Sequence, residues 1–235
     1  MGSLSIHPVL GVGEVSPGED VSQILIDALE ANGPPLEEKD VLVVTHKIVS
    51  KAEGRIVELD SDSPDAHRHL VESEAAGVIR RRGNLVIAQT RHGFICANAG
   101  VDRSNAGPGR AVLLPLDPDR SANRIRLRVG RHFGCEVAVI ISDTFGRPWR
   151  RGLTDIAIGV AGMEPINDLR GETDAHGMVL HVTQVAIADE ISAAADLVMQ
   201  KSSGIPAAIV RGVDWRPGTS GATSMVRSDE DDLFR

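Results

Sequence analysis

Apolar positions along the chain alternate between two periods. "DVLVVTHKIVSK" and "VAVIISDTFGRPWRRG" each open as continuous apolar runs, the pattern of strands covered on both faces. "DVSQILIDALEANG" instead spaces its apolar residues at helical intervals and is ended by Gly33, Pro34 and Pro35. Continued along the chain, "SIHPVL" reads as a short strand and "SPDAHRHLVESEAAGVIRRRG" as a polar helix. "NLVIAQT" and "GFICANAG" read as paired strands around Arg91 and His92, and "DPDRSANRIRLRVGRHFG" as a helix. "TDIAIGVAGM" and "MVLHVT" read as strands, "QVAIADEISAAADLVMQK" as an Ala-rich helix and "PAAIVRG" as a last strand. Such alternation predicts an α/β or mixed α+β fold built on a mixed sheet. With no repeat and no low-complexity linker, residues 1–235 read as one domain, or as two interleaved halves. The acidic tail "TSMVRSDEDDLFR" fits either a docked terminus or a loose one.

Composition narrows the class. Aromatic residues are only 3% with no Tyr, so the core must rest on Val, Ile, Leu and Ala. Lys+Arg 25 against Asp+Glu 33 leaves a net charge of -8, which argues against a general nucleic-acid binder but leaves room for a local basic pocket. No apolar run is long enough to cross a membrane. The first residues have no basic-then-apolar leader, and Ile6 stands where a myristoylation signal starting at Gly2 wants Ser or Thr. Cys96 and Cys135 lie far apart and read as reduced, buried thiols. The expectation is a soluble cytoplasmic protein that engages neither nucleic acid nor membrane.

Three segments run an apolar strand into polar residues of catalytic type. The first offers Thr45, His46, Lys47, Ser50 and Lys51, the second Asn98, Asp102, Ser104 and Asn105, and the third Asp143 and Thr144. Loops at strand ends converge on a rigid frame and collect ligands. Taken singly, Asp102 and Asp143 read as turn or strand-end caps. Taken together with Thr144 they form an oxygen donor set suited to Mg²⁺ or Mn²⁺ rather than zinc. Lys47 and Lys51, four apart, share a face if "HKIVSK" turns helical and would then cradle phosphate, although no P-loop pattern exists. Arg147, Arg150 and Arg151 fit a solvated helix face or a bidentate binder of carboxylate and phosphate. Pro148 and Trp149 between them favour a constrained loop. His46 reads as a general base or, more simply, as a structural histidine. Asp189 and Glu190 read as helix placement or a second metal site.

"HPVLGVGEVSPGED", "DVLVVTHKIVSKAEGRIV", "ANAGVDRSNAGPG", "LLPLDPD", "ISDTFGRPWRRG", "DIAIGVAGM", "IADEISAAADLVM" and "GIPAAIVRG", in this order, cover nearly the whole chain. They resemble the coenzyme F-420-0:L-glutamate ligase family, which comprises archaeal gamma-glutamyl ligases and the N-terminal domain of the actinobacterial bifunctional ligase. The resemblance implies a family-specific α/β gamma-glutamyl ligase fold in an intertwined homodimer. It implies GTP as co-substrate, two Mg²⁺ or Mn²⁺ ions and K⁺. The implied reaction ligates L-glutamate to coenzyme F-420-0, and gamma-linked glutamate to F-420-1, through an acyl phosphate.

Carried over by motif, Asp102, Asp143, Thr144 and Gln200 would hold metal. Val12, Gly13, Glu14 and Val15 would lie against the nucleotide, with His46, Lys47, Lys51 and Asn105 contacting it. The turn Met199, Gln200, Lys201, Ser202, Ser203 and Gly204 would close over it. That turn is shorter and poorer in glycine than in the family, and positions 46 and 47 are often small hydroxyl residues in relatives. Charge matching assigns Arg147, Arg150 and Arg151 to the acidic substrates. Two other functions fit the same residues: a binding homologue without catalysis, and a metal-dependent phosphohydrolase.

Overall fold

The computed structural model describes residues 3–60, 63 and 65–234. The chain begins with β1 (Ser5–Pro8), α1 (Val21–Asn32), β2 (Val41–Thr45), α2 (His46–Ala52) and β3 (Ile56–Glu58). There follow α3 (Ala66–Glu74), β4 (Ala75–Arg82), β5 (Leu85–Thr90), β6 (Ile95–Ala97) and β7 (Arg110–Val112). Next come α4 (Pro118–Phe133), β8 (Ala138–Arg147), β9 (Arg150–Met163), β10 (Asn167–Asp168) and β11 (Gln184–Val185). α5 (Ile187–Met199), β12 (Ala207–Arg211) and β13 (Pro217–Gly218) complete the order.

The central sheet runs β1-β12-β2-β8-β9-β13, with β2 and β8 its one parallel pair among the described residues. Both are near-continuous apolar runs because helices cover them, and Val41 to Val44 and Ala138 to Ile141 are fully buried. Their register sets Thr45 beside Ser142. There β2 ends and His46 opens α2, while β8 continues through Asp143 paired with β9, so His46 and Asp143 follow the same rung of the sheet. That topology brings the first and third polar segments together.

Local chemistry explains the helices that frame this end. Asp20 caps α1 by accepting the backbone N–H of Ser22 at 2.9 Å. Asp117 caps α4, Pro118 opens it, and Gly134 in the left-handed region closes it. The entry of α4 lies so near β9 that a Cβ on Gly159 would meet the Pro118 backbone at 2.6 Å. Asp119 accepts the N–H groups of Val160 and Ala222 at 2.8 Å and ties helix, strand and C-terminal segment together.

A second apolar cluster, with Val71, Val86, Ala88, Ala99, Val101, Ala111 and Leu113, lies between the β4-β5-β6 sheet, the β3-β7 pair and α3. Here the expected polar helix is corrected: it stops at Glu74 and residues 75–82 form β4, a partner of β5. Gly77 and the β-branched Val78 and Ile79 weaken a helix there, and β5 supplies the ladder. Pro64, at the start of that expected helix, lies outside the described residues. "MVLHVT" is no strand either. Met178, Val179 and Val182 are exposed; Val179 pairs only in an isolated antiparallel bridge with Thr173, and a strand forms at β11. The tail turns back on the body, with the Phe234 ring 4.7 Å from that of Trp149.

Candidate functional site

A cleft of about 440 Å³ opens where β2 ends beside the middle of β8. Thr45 at the end of β2 and Asp143, Thr144 and Asp155 from within β8 and β9 form its floor, and Lys47, Ile48 and Lys51 one wall from α2. Val12, Gly13 and Glu14 enter from the first loop, and Asn105 from the glycine-rich loop. Asp196 and Met199 reach it from the end of α5, followed by Gln200, Lys201 and Ser202, and then by Gly204, Ile205 and Pro206. This last turn is anchored by backbone: the Pro206 carbonyl accepts the Thr45 N–H at 2.8 Å. Ser203 does not line the cleft. Its hydroxyl donates to the carbonyls of Met199 and Gln200 and shapes the turn. Val15 is buried in the core instead.

Asp143 is held in place by neighbours behind the floor. Its Oδ1 accepts the Thr144 N–H at 2.7 Å, and His46 Nε2 lies 3.3 Å from the same oxygen. The His46 side chain is 0% exposed, and its Nδ1 pairs with Ser50 Oγ at 3.2 Å. The expectation of a nucleotide contact from this side chain is therefore corrected: α2 begins at residue 46 and turns the imidazole inward, toward Asp143.

Across the β8-β9 ladder Asp155 faces Thr144. Its two oxygens accept the hydroxyls of Thr144 at 2.6 Å and Ser142 at 2.9 Å. Burial pushes the Asp155 carboxyl above the ordinary range, the two hydroxyls pull it back, and the charges of Asp196 and Asp143 add to the rise. No lysine or arginine among the described residues pairs with Asp143, Asp155 or Asp196; the ion pairs at the cleft are His46–Asp143, Lys47–Asp102 and Lys51–Glu14.

Asp102 stands beside the cleft, joined to it through Lys47. Its backbone exchanges two hydrogen bonds with Val112, at 2.9 and 2.7 Å. Lys47 Nζ reaches Asp102 Oδ2 and Ser104 Oγ, each at 2.7 Å. Burial works to raise the Asp102 carboxyl, but Lys47 and Ser104 outweigh it and leave the group below its usual range. Asn105, with φ 56, donates to the Lys201 carbonyl at 3.5 Å and links the glycine-rich loop to the turn after α5.

The three arginines lie elsewhere. β8 and β9 are joined by Pro148 and Trp149, so the expected choice of surface helix or constrained loop resolves to a tight hairpin. Arg147 and Arg150 are cross-strand partners, Trp149 has φ 57 and is 82% exposed, and none of the arginines lines the cleft. Asp189 accepts the Ala157 N–H at 2.9 Å, which gives it the helix-placing role; it too lies outside the cleft.

Among the described residues no group of three or more His, Cys, Asp or Glu side chains is arranged to hold a metal. A hard divalent cation needs less: one or two protein carboxylates, with water and phosphate oxygens completing its shell. Asp143, with Asp155 and Asp196 lining the same cleft and no lysine or arginine paired with it among the described residues, fits that demand. Asp155 and Asp196 escaped the sequence reading. Asp196 carried a signal, since an acid in the last turn of a helix opposes the helix dipole. Asp155 carried another, an acid at the head of the apolar run that begins at Ile156.

A family model described as F420-0:Gamma-glutamyl ligase matches residues 10–212, which include every cleft residue named above. The chain is 43% identical to Coenzyme F420:L-glutamate ligase of Methanothermobacter thermautotrophicus over 99% of both chains. It is 40% identical to the protein of the same name from Methanopyrus kandleri, over 99% of this chain and 98% of that one. The Methanocaldococcus jannaschii protein of that name is 38% identical over 86% of each. No helix among the described residues is long and apolar enough to cross a membrane.

Proposed function

The chain belongs to the F420-0:gamma-glutamyl ligase family, and from that premise we propose that it forms an amide between coenzyme F-420-0 and L-glutamate. Further gamma-linked glutamate would be added to F-420-1 by the same chemistry. The observation that carries the reading is the cleft itself: Asp143, Thr144 and Asp155 stand at the floor, Lys47 and Lys51 on one wall and the Gln200 turn opposite. Carboxylates for a cation and ammonium groups for phosphate are what phosphoryl transfer asks of a protein.

In this reading GTP is the co-substrate. A carboxylate of the F-420 precursor attacks the γ-phosphoryl group, the bond to the β-phosphate oxygen breaks and GDP leaves. The amine of glutamate then attacks the acyl carbon of the acyl phosphate, losing a proton as inorganic phosphate departs. Asp102, Asp143, Thr144 and Gln200 would hold Mg²⁺ or Mn²⁺, which neutralises charge on the phosphates when bound; K⁺ would assist. Lys51 supports the phosphates once they draw it from Glu14. Arg147, Arg150 and Arg151, set on an exposed hairpin away from the cleft, meet the anionic tail of the acceptor. The working unit is a homodimer in the cytoplasm.

Incubating the protein with GTP, Mn²⁺ and F-420-0, with and without glutamate, and reading products by mass spectrometry tests this. Ligated product with stoichiometric GDP and phosphate, only when glutamate is present, is the expected result. Phosphate release without glutamate would make the protein a phosphohydrolase. Ligand binding with no release would make it a binding homologue.

A further inference from the structure

Both oxygens of Asp102 are already engaged. Oδ1 accepts the backbone N–H of Ser104 at 2.7 Å, and Oδ2 accepts the Ser104 hydroxyl at 2.8 Å together with the Lys47 ammonium at 2.7 Å. The Ser104 contacts belong to a turn two residues long, within a loop that is also fixed by the two backbone bonds between Asp102 and Val112. Lys47 hangs on a flexible four-carbon stem rooted in α2 and lines the cleft. Of the three groups on this carboxylate, the lysine is the one that can leave without remaking the loop.

We infer that Lys47 is a resident counter-ion of Asp102, in competition with a divalent cation for Oδ2. When the cation takes the carboxylate, the ammonium turns to the phosphate oxygens of a nucleoside triphosphate in the same cleft. The inference rests on the cation-dependent reading above. Its consequence is coupling: cation alone must displace the lysine into water, whereas cation with nucleotide gives the lysine a new anionic partner. Each ligand therefore tightens the other, by the reciprocity of linked equilibria. Lys51 has a separate partner, Glu14, and stands outside this exchange.

The test titrates the full chain with Mn²⁺ alone, following free ion by electron paramagnetic resonance, and repeats it with a non-hydrolysable GTP analogue. Lys47→Met should bind Mn²⁺ roughly fivefold more tightly than the parent without nucleotide, the scale of one lost ion pair. It should also lose most of the enhancement given by the analogue. Lys47→Gln, which keeps a donor for Ser104 without the charge, should behave alike and guards against a folding defect, with thermal melts as the check. Arg103→Met removes a positive charge, like that of Lys47, next to Asp102 in sequence, from a side chain outside the Lys47–Asp102 pair, and should leave Mn²⁺ affinity unchanged. Affinity within twofold of the parent in both Lys47 variants overturns the inference. Equal tightening in Arg103→Met also does so, since it would reduce the effect to general charge. A parent chain that binds no Mn²⁺ at millimolar concentration removes the cation-dependent reading itself, and the inference with it.

Discussion

Thr144 and Asp155 sit opposite each other on β8 and β9, and the threonine hydroxyl donates to Asp155 Oδ1 at 2.6 Å. With its proton committed there, that hydroxyl keeps its lone pairs for the cleft. Ser142 donates to the other oxygen, so the carboxylate orients two hydroxyls of β8. Asn at position 155 accepts from only one of them. Asp155→Asn should lower kcat by about 10- to 100-fold, the range seen when a supporting contact to a site is lost. Burial disfavours the ionised Asp155 carboxyl, so the variant should melt no lower than the parent at pH 7. A kcat within twofold of the parent would show that the hydroxyl orientation does not matter.

Asp143 has no lysine or arginine partner among the described residues, and only the Thr144 amide and the buried His46 touch its side chain at the distances given above. Little of the fold depends on its charge, while the proposed phosphoryl transfer depends on it strongly. Asp143→Asn should cut turnover by a factor on the order of 10² to 10³ with its melting curve intact. Near-parental turnover in the glutamate-dependent assay would place the reacting phosphate elsewhere.

The arginine hairpin is separated from the cleft, which makes its role separable in kinetics. Replacing Arg147, Arg150 and Arg151 by Gln removes charge from exposed strand residues and should leave thermal stability unchanged within about 0.5 kcal/mol. The KM for F-420-0 should rise roughly tenfold or more while that for GTP stays constant. A parallel rise in both constants would argue instead for a disturbed β8-β9 frame.

At the far end of β2, Asp40 is fully buried and takes Arg211 in a two-point grip, Nε to Oδ1 at 2.8 Å and Nη2 to Oδ2 at 2.7 Å. That hydrogen-bonded carboxylate, opposed in part by burial and helped by Glu37, raises the Arg211 guanidinium above its ordinary pKa. Arg211→Met leaves the Asp40 charge inside with the Glu37 N–H at 2.8 Å but no counter-ion, at a cost of about 3 kcal/mol. The melting temperature should fall by on the order of 10 °C for a chain of this size. The kcat per folded molecule should hold, because the pair lies at the opposite end of β2 from Thr45.

Much of this site was legible because strand ends are legible. The apolar runs before His46 and Asp143 located both strands, and the parallel β2-β8 pairing then brought Lys47, Lys51, Asp143 and Thr144 to one cleft. Lys47 and Lys51 share one face of α2 as their spacing implies, and His46, its first residue, is buried against Asp143, in keeping with the structural alternative for that histidine. Asp155 lay hidden because its meaning depends on cross-strand register, which one sequence does not reveal. The stretch 75–82 misled because its strand character comes from β5, its partner across a tight hairpin that pairs Arg82 with Leu85, and not from its own periodicity.

Cys96 gives a pH test that also reports on Asp143. Burial and then the Asp143 charge push its thiol up from 9.0 to about 12, against a small opposing pull from the Gly100 backbone. In the folded chain the thiol therefore stays protonated and should resist a disulfide reagent at pH 8, reacting only after denaturation. Above pH 9 the unfolded chain releases this proton while the folded chain keeps it, so the thiol withdraws stability as pH rises from 9 toward about 12. Relative to Cys96→Ala, the parent should lose at most about 1.4 kcal/mol per pH unit across that window. In Asp143→Asn the thiol should titrate lower and the loss should shrink. Urea melts at pH 8, 9.5 and 10.5 on the three proteins measure it, and superimposed curves for parent and Cys96→Ala would show that the thiol is not shielded as the fold requires.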